Sequence, residues 1–152
     1  MTPNAAGNGY MLAALAEAEA AAGRGEVPVG AVVVAGGQIL ARAGNRTREL
    51  NDPTAHAEML AIRAACAALH SERLPDADLY VTLEPCPMCA AAISFARIRR
   101  LYFGAGDPKG GGVEHGPRIF SQPSCHHAPE VYGGIEETRS AALLRTFFAL
   151  RR

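Results

Sequence analysis

Two cysteines, Cys86 and Cys89, lie three residues apart in a segment that reads Pro-Cys-Pro-Met-Cys. Prolines are tolerated in the first turn of a helix, where their missing N–H costs nothing, so this segment predicts a helix start. Residues i and i+3 share one face of a helix, which allows the two sulfurs to bind one ion. The free N–H groups and the positive end of the helix dipole lower the pKa of a thiol there. The pattern therefore predicts two thiolate ligands of one metal ion.

A second segment, His56-Ala57-Glu58, lies at the predicted start of another helix. A neutral imidazole from His56 would provide the third ligand of a tetrahedral zinc ion. Three protein ligands leave one position for water, which is the pattern of catalytic zinc, whereas structural zinc takes four protein ligands. The alternative is a structural site completed by Cys66 or Cys125. We expect neither thiol to bind the metal, because Cys66 is typical of a core thiol and Cys125 of a loop thiol.

Glu58 favours the catalytic site over the structural one. It lies two residues after His56, about 200° around the same helix, so its carboxylate cannot easily bind the same ion. A carboxylate beside the water position can instead accept and release protons. A structural zinc site would leave this carboxylate without a role. We therefore predict a hydrolytic zinc enzyme in which Glu58 moves protons.

The elements that must position these residues alternate between helix and strand. Apolar periodicity and turn residues predict helices over residues 9–22, 54–69, 85–96 and 136–150, and strands over residues 29–35, 38–43, 77–83 and 100–104. Thr54 is placed as the cap of the second helix, and the glycine- and proline-rich residues 107–129 predict no element. This order is typical of a three-layer α/β sandwich with a mixed sheet. The length of 152 residues predicts a single domain, residues 1–152.

Composition and charge exclude several classes of protein. With 49% hydrophobic and 20% charged residues, the chain lacks the bias of a disordered or collagenous protein. No apolar run is long enough to cross a bilayer. Fifteen basic and fifteen acidic residues cancel, whereas a general nucleic-acid coat protein would be strongly basic. The balance is uneven along the chain, because residues 1–96 carry six basic and ten acidic side chains and residues 97–152 carry nine and five.

The Ala-rich stretch 11–22 superficially resembles a signal sequence. It has no basic segment before it, however, and Glu17 and Glu19 interrupt it. Four cysteines in a chain without an export signal indicate reduced thiols or metal ligands. We therefore expect a cytoplasmic protein.

The two chemical segments together match the pattern His-x-Glu…Pro-Cys-x-x-Cys of the zinc-dependent nucleobase deaminases. Over nearly its whole length the chain resembles the tRNA-specific adenosine deaminases, which convert the wobble adenosine of an anticodon to inosine. The resemblance is carried by residues 27–31, 44–46, 51–58, 79–86, 97–105, 107–111 and 147–152. It implies a cytidine deaminase-like fold, which is a three-layer α/β/α sandwich with a mixed five-stranded sheet, and one zinc ion per chain held by His56, Cys86 and Cys89.

The resemblance also implies residues that bind the substrate. Asn45 would form a hydrogen bond with the flipped base, and the backbone N–H of Ala57 would face it. Asp107 would contact the ribose or the backbone near the target nucleotide. The residues expected along the RNA are Lys109, Phe148, Arg151 and Arg152. The implied partners are a tRNA anticodon stem-loop and a second copy of the chain, because members of the family are homodimers whose RNA site draws on both subunits.

Two alternatives stand beside a tRNA deaminase. The segment Pro-Cys-Pro-Met-Cys is also common in enzymes that deaminate guanine or another small base, and these need only a closed pocket. The basic second half, residues 107–111 and the terminal Phe-Phe and Arg-Arg pairs favour RNA instead. The other alternative is a zinc-stabilised RNA-binding or partner subunit without activity, and the intact Glu58 argues against it.

Overall fold

The structure is a computed structural model that describes residues 5–151, and the side chains of residues 9–151. In chain order the described elements are α1 (Ala5–Gly23), β1 (Gly30–Ala35), β2 (Gln38–Gly44), α2 (Ala57–Leu69), β3 (Asp78–Leu83), α3 (Pro87–Ala96), β4 (Arg100–Ala105), a short 3₁₀ helix (Ile119–Ser121), β5 (Glu130–Tyr132) and α4 (Glu137–Ala149). Within this part of the chain, no helix is both long and apolar enough to cross a membrane.

The strands form one mixed sheet in the order β2-β1-β3-β4-β5. β1 pairs antiparallel with β2 and with β3, whereas β3 pairs parallel with β4 and β4 with β5. Parallel neighbours require a crossover connection, which α3 supplies between β3 and β4. Because β3 and β4 are parallel, their carboxyl ends meet at one edge of the sheet. The start of α3 and the loop after β4 therefore lie side by side.

Successive side chains of a strand point to opposite faces of the sheet, so each strand contributes residues to two layers of packing. Helices cover both faces. On one face, Val33, Leu79 and Leu101 pack into a buried cluster with residues of α2 and α3. On the other face, Val32 and Tyr102 pack with residues of α1, and α4 packs against the same cluster. The predicted three-layer α/β/α sandwich with a mixed five-stranded sheet is confirmed.

One local prediction is wrong, and one strand was not predicted. Thr54 does not cap α2, because its hydroxyl and its N–H both donate to Asp52 Oδ1, at 2.7 and 2.8 Å, and the helix begins only after His56. The strand that has no counterpart among the predicted elements is β5. This strand has three residues and follows a segment rich in glycine and proline, and its pairing with β4 is a distant contact that local sequence does not reveal.

The four tyrosines of the chain stack in one row on the α1 face of the sheet. The rings of Tyr80 and Tyr102 are parallel, with centroids 4.3 Å apart and planes 2° from one another. Tyr132 continues the row at 5.1 Å from Tyr102, and Tyr10 of α1 meets Tyr80 at 5.4 Å with tilted planes. Aromatic pairs of this kind stabilise a fold beyond the area that they bury. The row thereby connects β3, β4, β5 and α1.

Tyr102→Ala is expected to lower the free energy of unfolding by about 3–5 kcal/mol, because it leaves a cavity between the rings of Tyr80 and Tyr132. Urea denaturation followed by far-UV circular dichroism measures the change. Tyr102→Phe is the matched control, since it keeps the ring and removes one hydroxyl, at a cost of at most about 1.5 kcal/mol. Equal losses in the two variants would contradict a stabilising role of the ring stack.

Candidate active site

The three predicted metal ligands converge at the N-terminal ends of two helices. His56 is the residue before α2, Cys86 is the residue before α3, and Cys89 lies in the first turn of α3. Nδ1 of His56 lies 3.6 Å from Sγ of Cys86 and 3.5 Å from Sγ of Cys89. Neither His56 nor Cys86 uses its side chain to cap its helix, and the two side chains contact one another.

The spacing of these atoms fits a tetrahedral zinc ion. Zn–N bonds of about 2.0–2.1 Å and Zn–S bonds of about 2.3 Å, at tetrahedral angles, separate nitrogen from sulfur by about 3.5 Å. All three potential ligand atoms lie within 4.8 Å of one another. Among the residues that the structure describes, no other His, Cys, Asp or Glu joins this group. Three protein ligands and one further position correspond to a catalytic zinc site.

The charges of the two thiols depend on one another. Hydrogen bonds from the Cys89 thiol, and also from His56, lower the pKa of Cys86 to about 4. That same hydrogen bond, together with burial, raises the pKa of Cys89, and the contact with Cys86 raises the pKa of His56. The positive ends of the two helix dipoles favour negative charge at this point. A divalent cation can therefore replace the protons that the group shares.

Glu58 lies in the first turn of α2 and is only 4% exposed. Burial raises the pKa of its carboxyl to about 7. The carboxyl interacts with the Cys89 thiol, and this contact places it beside the metal-binding group. A carboxyl that titrates near neutral pH can both accept and release a proton during a reaction.

A cavity of about 200 Å³ opens beside the group. Its walls are formed by Val29, Asn45, His56, Glu58, Leu83, Glu84, Cys86, Asp107 and Gly110. The cavity is smaller than the roughly 300–1,000 Å³ of sites for drug-sized ligands, and suits one small ring system. Asn45 is almost fully buried in the wall. Ala57 is the first residue of α2, where a backbone N–H has no acceptor within the helix.

Residues 6–105 match the cytidine and deoxycytidylate deaminase zinc-binding region. The tRNA-specific adenosine deaminase of Agrobacterium fabrum (strain C58 / ATCC 33970) is 68% identical over 143 residues, which cover 94% of each protein. The chain belongs to the tRNA-specific adenosine deaminase family.

Solved structures agree with this membership. A structure described in studies of A-to-I editing by tRNA:A34 deaminases at the wobble position of transfer RNA matches 90% of this chain and 99% of its own. Its TM-score is 0.89 and its sequence is 68% identical. A guanine deaminase from Bacillus subtilis matches 64% of this chain with a TM-score of 0.63 and 41% identity. The match with the tRNA:A34 deaminase is therefore closer and more complete.

Two of the RNA contacts predicted for a member of this deaminase family lie on the loop after β4. The Asp107 carboxylate accepts hydrogen bonds from the N–H groups of Lys109, at 3.1 Å, and Gly110, at 2.9 Å, which closes a tight turn. Asp107 thereby forms part of the cavity wall, whereas Lys109 is exposed just outside it. The structure brings Asp107 to the metal-binding group and places Lys109 at the surface beside it.

The predicted contacts near the end of α4 lie elsewhere. Phe148 is 50% exposed, and its ring meets the edge of the buried Phe147. The Arg151 guanidinium lies over the Phe147 ring at 3.7 Å and lines a separate cavity between α1 and α4. Neither residue forms part of the candidate active-site cavity. Arg152 lies outside the residues that the structure describes.

The other two cysteines are placed as the sequence predicted. Cys66 lies on α2 and packs against the core cluster. Cys125 lies in the loop before β5, where its Sγ is 3.5 Å from Oγ of Ser94 and donates a hydrogen bond to the carbonyl of His127 at 3.2 Å. Neither is in the metal-binding group, so the alternative of a structural site with four protein ligands receives no support.

Two buried carboxylates with no predicted role hold the loops around the cavity. Glu26, before β1, accepts hydrogen bonds from the N–H groups of Arg48 at 3.2 Å and Glu49 at 2.8 Å, in the loop that follows Asn45. Glu84, after β3, binds the loop after β4 in the same way. In each case the sequence offers one signal of this role, which is an acidic residue beside an apolar strand. The partners were not predictable, because they lie 22 to 31 residues away along the chain.

Proposed function

We propose that this deaminase converts adenosine to inosine at the wobble position of a tRNA anticodon, with one zinc ion held by His56, Cys86 and Cys89. The observation that carries the proposal is a small cavity whose wall contains His56, Cys86 and Glu58, with Cys89 buried directly beside them. Membership of the tRNA-specific adenosine deaminases supports RNA as the substrate. The reaction is a hydrolysis, in which water supplies the new oxygen at C6 and the amine leaves as ammonia.

Glu58 carries the proton transfers of this reaction. Zinc, when bound, supplies the Lewis-acid activation of water that hydrolysis needs at neutral pH. Glu58 accepts the proton that the attacking water gives up and delivers protons to N1 of the base and to the departing amine. Adenosine and water become inosine and ammonia, so that no proton is gained or lost overall. Burial of the carboxyl keeps bulk water away from these transfers.

The wall of the cavity orients the target base. A base must leave the stack of its neighbours to enter a pocket of this kind. Asn45 forms a hydrogen bond with the base there, and the backbone N–H of Ala57 faces it. Asp107 contacts the ribose or the backbone next to the target, and Lys109 contacts the RNA outside the cavity.

The end of α4 extends the RNA surface beyond the cavity. Phe148 offers an exposed ring for stacking, and Arg151 and Arg152 offer positive charge to phosphates. Phe148 and Arg151 lie away from the cavity wall within one chain, so they act on more distant nucleotides. The net positive charge of residues 97–152 supports this assignment.

The active form is a homodimer in the cytoplasm. Phe95 on α3 is 63% exposed, and the small residues Ala91 and Ala92 precede it on the same helix. An exposed aromatic ring beside small side chains is suited to contact with a second copy of the chain. A cytoplasmic location keeps Cys86 and Cys89 reduced and therefore able to bind metal.

Mass spectrometry of a synthetic anticodon stem-loop tests the activity directly. After incubation with the zinc-loaded protein, we expect a mass increase of about 1 Da at the wobble adenosine alone, because deamination replaces NH by O. A stem-loop with guanosine at the wobble position, and adenosine elsewhere in the loop, is the matched control and should keep its mass. Release of ammonia from guanine or cytidine, with an unchanged stem-loop, would contradict the proposal and support a small-base deaminase.

A further inference from the structure

Glu84 follows directly after β3, and its side chain is completely inaccessible to solvent. Its Oε1 accepts hydrogen bonds from the N–H of Asp107 at 2.9 Å and from Nδ1 of His115 at 2.6 Å. Its Oε2 accepts three more, from the N–H groups of Val113 at 3.1 Å, Glu114 at 2.8 Å and His115 at 3.1 Å. A carboxylate has about four lone-pair positions, so these five donors occupy its whole acceptor capacity.

The donors lie at the two ends of one loop, residues 106–116. Oε1 binds the beginning of this loop at Asp107 and also the imidazole of His115, whereas Oε2 binds only backbone N–H groups at the end of the loop. One side chain from β3 therefore fixes both ends of a loop that leaves β4. The middle of the loop carries Lys109 and Gly110, and Gly110 and Asp107 form part of the cavity wall.

Two glycines let the backbone of this loop approach the carboxylate and the start of α3 more closely than a residue with a side chain could. A Cβ at Gly111 would lie 2.5 Å from Oε2 of Glu84 and 2.5 Å from the carbonyl oxygen of Asp107. A Cβ at Gly112 would lie 2.6 Å from the backbone nitrogen of Pro87. The N–H of Gly112 donates to the carbonyl of Pro85 at 2.8 Å, which ties the loop to the segment before α3 as well.

We propose that Glu84 is a positioning residue, which holds the loop 106–116 so that Asp107 and Lys109 meet the RNA in the correct place. This inference rests on the proposed function. Because its acceptor positions are occupied by the loop, Glu84 neither binds the metal nor exchanges protons with the substrate. Its effect on the reaction passes through the loop and therefore concerns RNA binding.

The test is Glu84→Gln in the zinc-loaded full chain. Gln keeps one acceptor oxygen but presents N–H donors in place of the other, so one set of backbone N–H groups in the loop loses its acceptor while the side chain keeps its size. We expect KM for the stem-loop to rise about 10- to 100-fold, because misplaced binding groups weaken the binding of RNA. We expect kcat to stay within about threefold, because Glu58, which carries the protons, is unchanged. The zinc content should stay at one ion per chain. A fall in kcat at constant KM, or a loss of zinc, would overturn the proposal.

A double-mutant cycle shows whether Glu84 acts through Asp107. In the Asp107→Ala background, Glu84→Gln should raise KM much less than in the wild-type chain, since residues in one hydrogen-bond network are not additive. Full additivity would contradict the proposal. His115→Ala removes only the imidazole donor from a partly exposed position, and a smaller increase of KM in this variant is expected even if Glu84→Gln does not fold.

Amide hydrogen exchange tests the loop without any substrate. We expect exchange of the N–H groups of Asp107, Val113, Glu114 and His115 to become at least about tenfold faster in Glu84→Gln, with the strand amides unchanged. Unchanged exchange would overturn the anchoring role. If the loop loosens as expected but the wild-type protein does not deaminate the stem-loop, the proposed substrate is wrong and the anchor stands.

Discussion

Glu58→Gln is expected to lower kcat for deamination of the anticodon stem-loop by about 10²- to 10⁴-fold, the usual contribution of a general acid–base group. Gln is nearly the same size as Glu and can accept a hydrogen bond, but it cannot carry a proton between water and the base. Single-turnover measurements, with inosine quantified by mass spectrometry, separate this effect from product release. The substrate affinity should change far less than the rate.

Glu137→Gln is the matched control for this substitution. Glu137 also lies in the first turn of a helix, α4, but its side chain is exposed and lies outside the cavity wall. Its replacement should leave zinc content and turnover unchanged. If Glu58→Gln retained more than about a tenth of the wild-type rate, another group would have to carry the protons, and the assignment of Glu58 would be wrong.

The metal-binding group was predictable because it depends on short-range geometry. Cys86 and Cys89 are three residues apart at a helix start, so helical periodicity alone brings their sulfurs to one side. His56 lies 30 residues earlier, and only the chemistry of zinc suggested its inclusion. The structure brings the three together, although their role as zinc ligands stays a prediction.

The fold was predictable for a related reason. The strands β1, β3 and β4 are buried runs of apolar residues, and the helices between them show their periodicity in the sequence. Thr54 was placed wrongly because Asp52, two residues earlier, binds its N–H and hydroxyl, and a local turn takes precedence over a helix cap. The strand β5 forms by pairing with β4, and the local sequence cannot indicate a pairing between distant residues.

The substrate contacts show where prediction from sequence ends. Asn45 and Asp107 lie in the cavity wall, whereas Arg151 packs over Phe147 on another part of the surface. A linear sequence does not give the distance between residue 107 and residue 151. The roles of Glu26 and Glu84 were not predicted, because the groups that they bind are mostly backbone N–H groups, which no residue type indicates. Satisfying buried backbone N–H groups with a carboxylate is a tertiary property of the loops.

Cys86→Ser and Cys89→Ser are each expected to weaken zinc binding by more than about 100-fold, since even changes around a ligand cost 10- to 100-fold. Serine has the shape of cysteine, but its hydroxyl does not ionise near neutral pH and is a poor ligand for zinc. Deamination of the stem-loop should fall with the zinc content, to the level of the chelator-treated wild-type protein. Competition with a chromogenic chelator measures the affinity, and elemental analysis gives the zinc content.

Cys66→Ser and Cys125→Ser provide matched controls within the same chain. Both thiols lie outside the metal-binding group, so both variants should retain one zinc ion per chain and wild-type turnover. Cys66→Ser should show a modest loss of stability, because it places a hydroxyl against the core cluster. Loss of zinc from either control would mean that a fourth protein ligand closes the site. That result would replace the catalytic interpretation with a structural one, because water would then have no position beside Glu58.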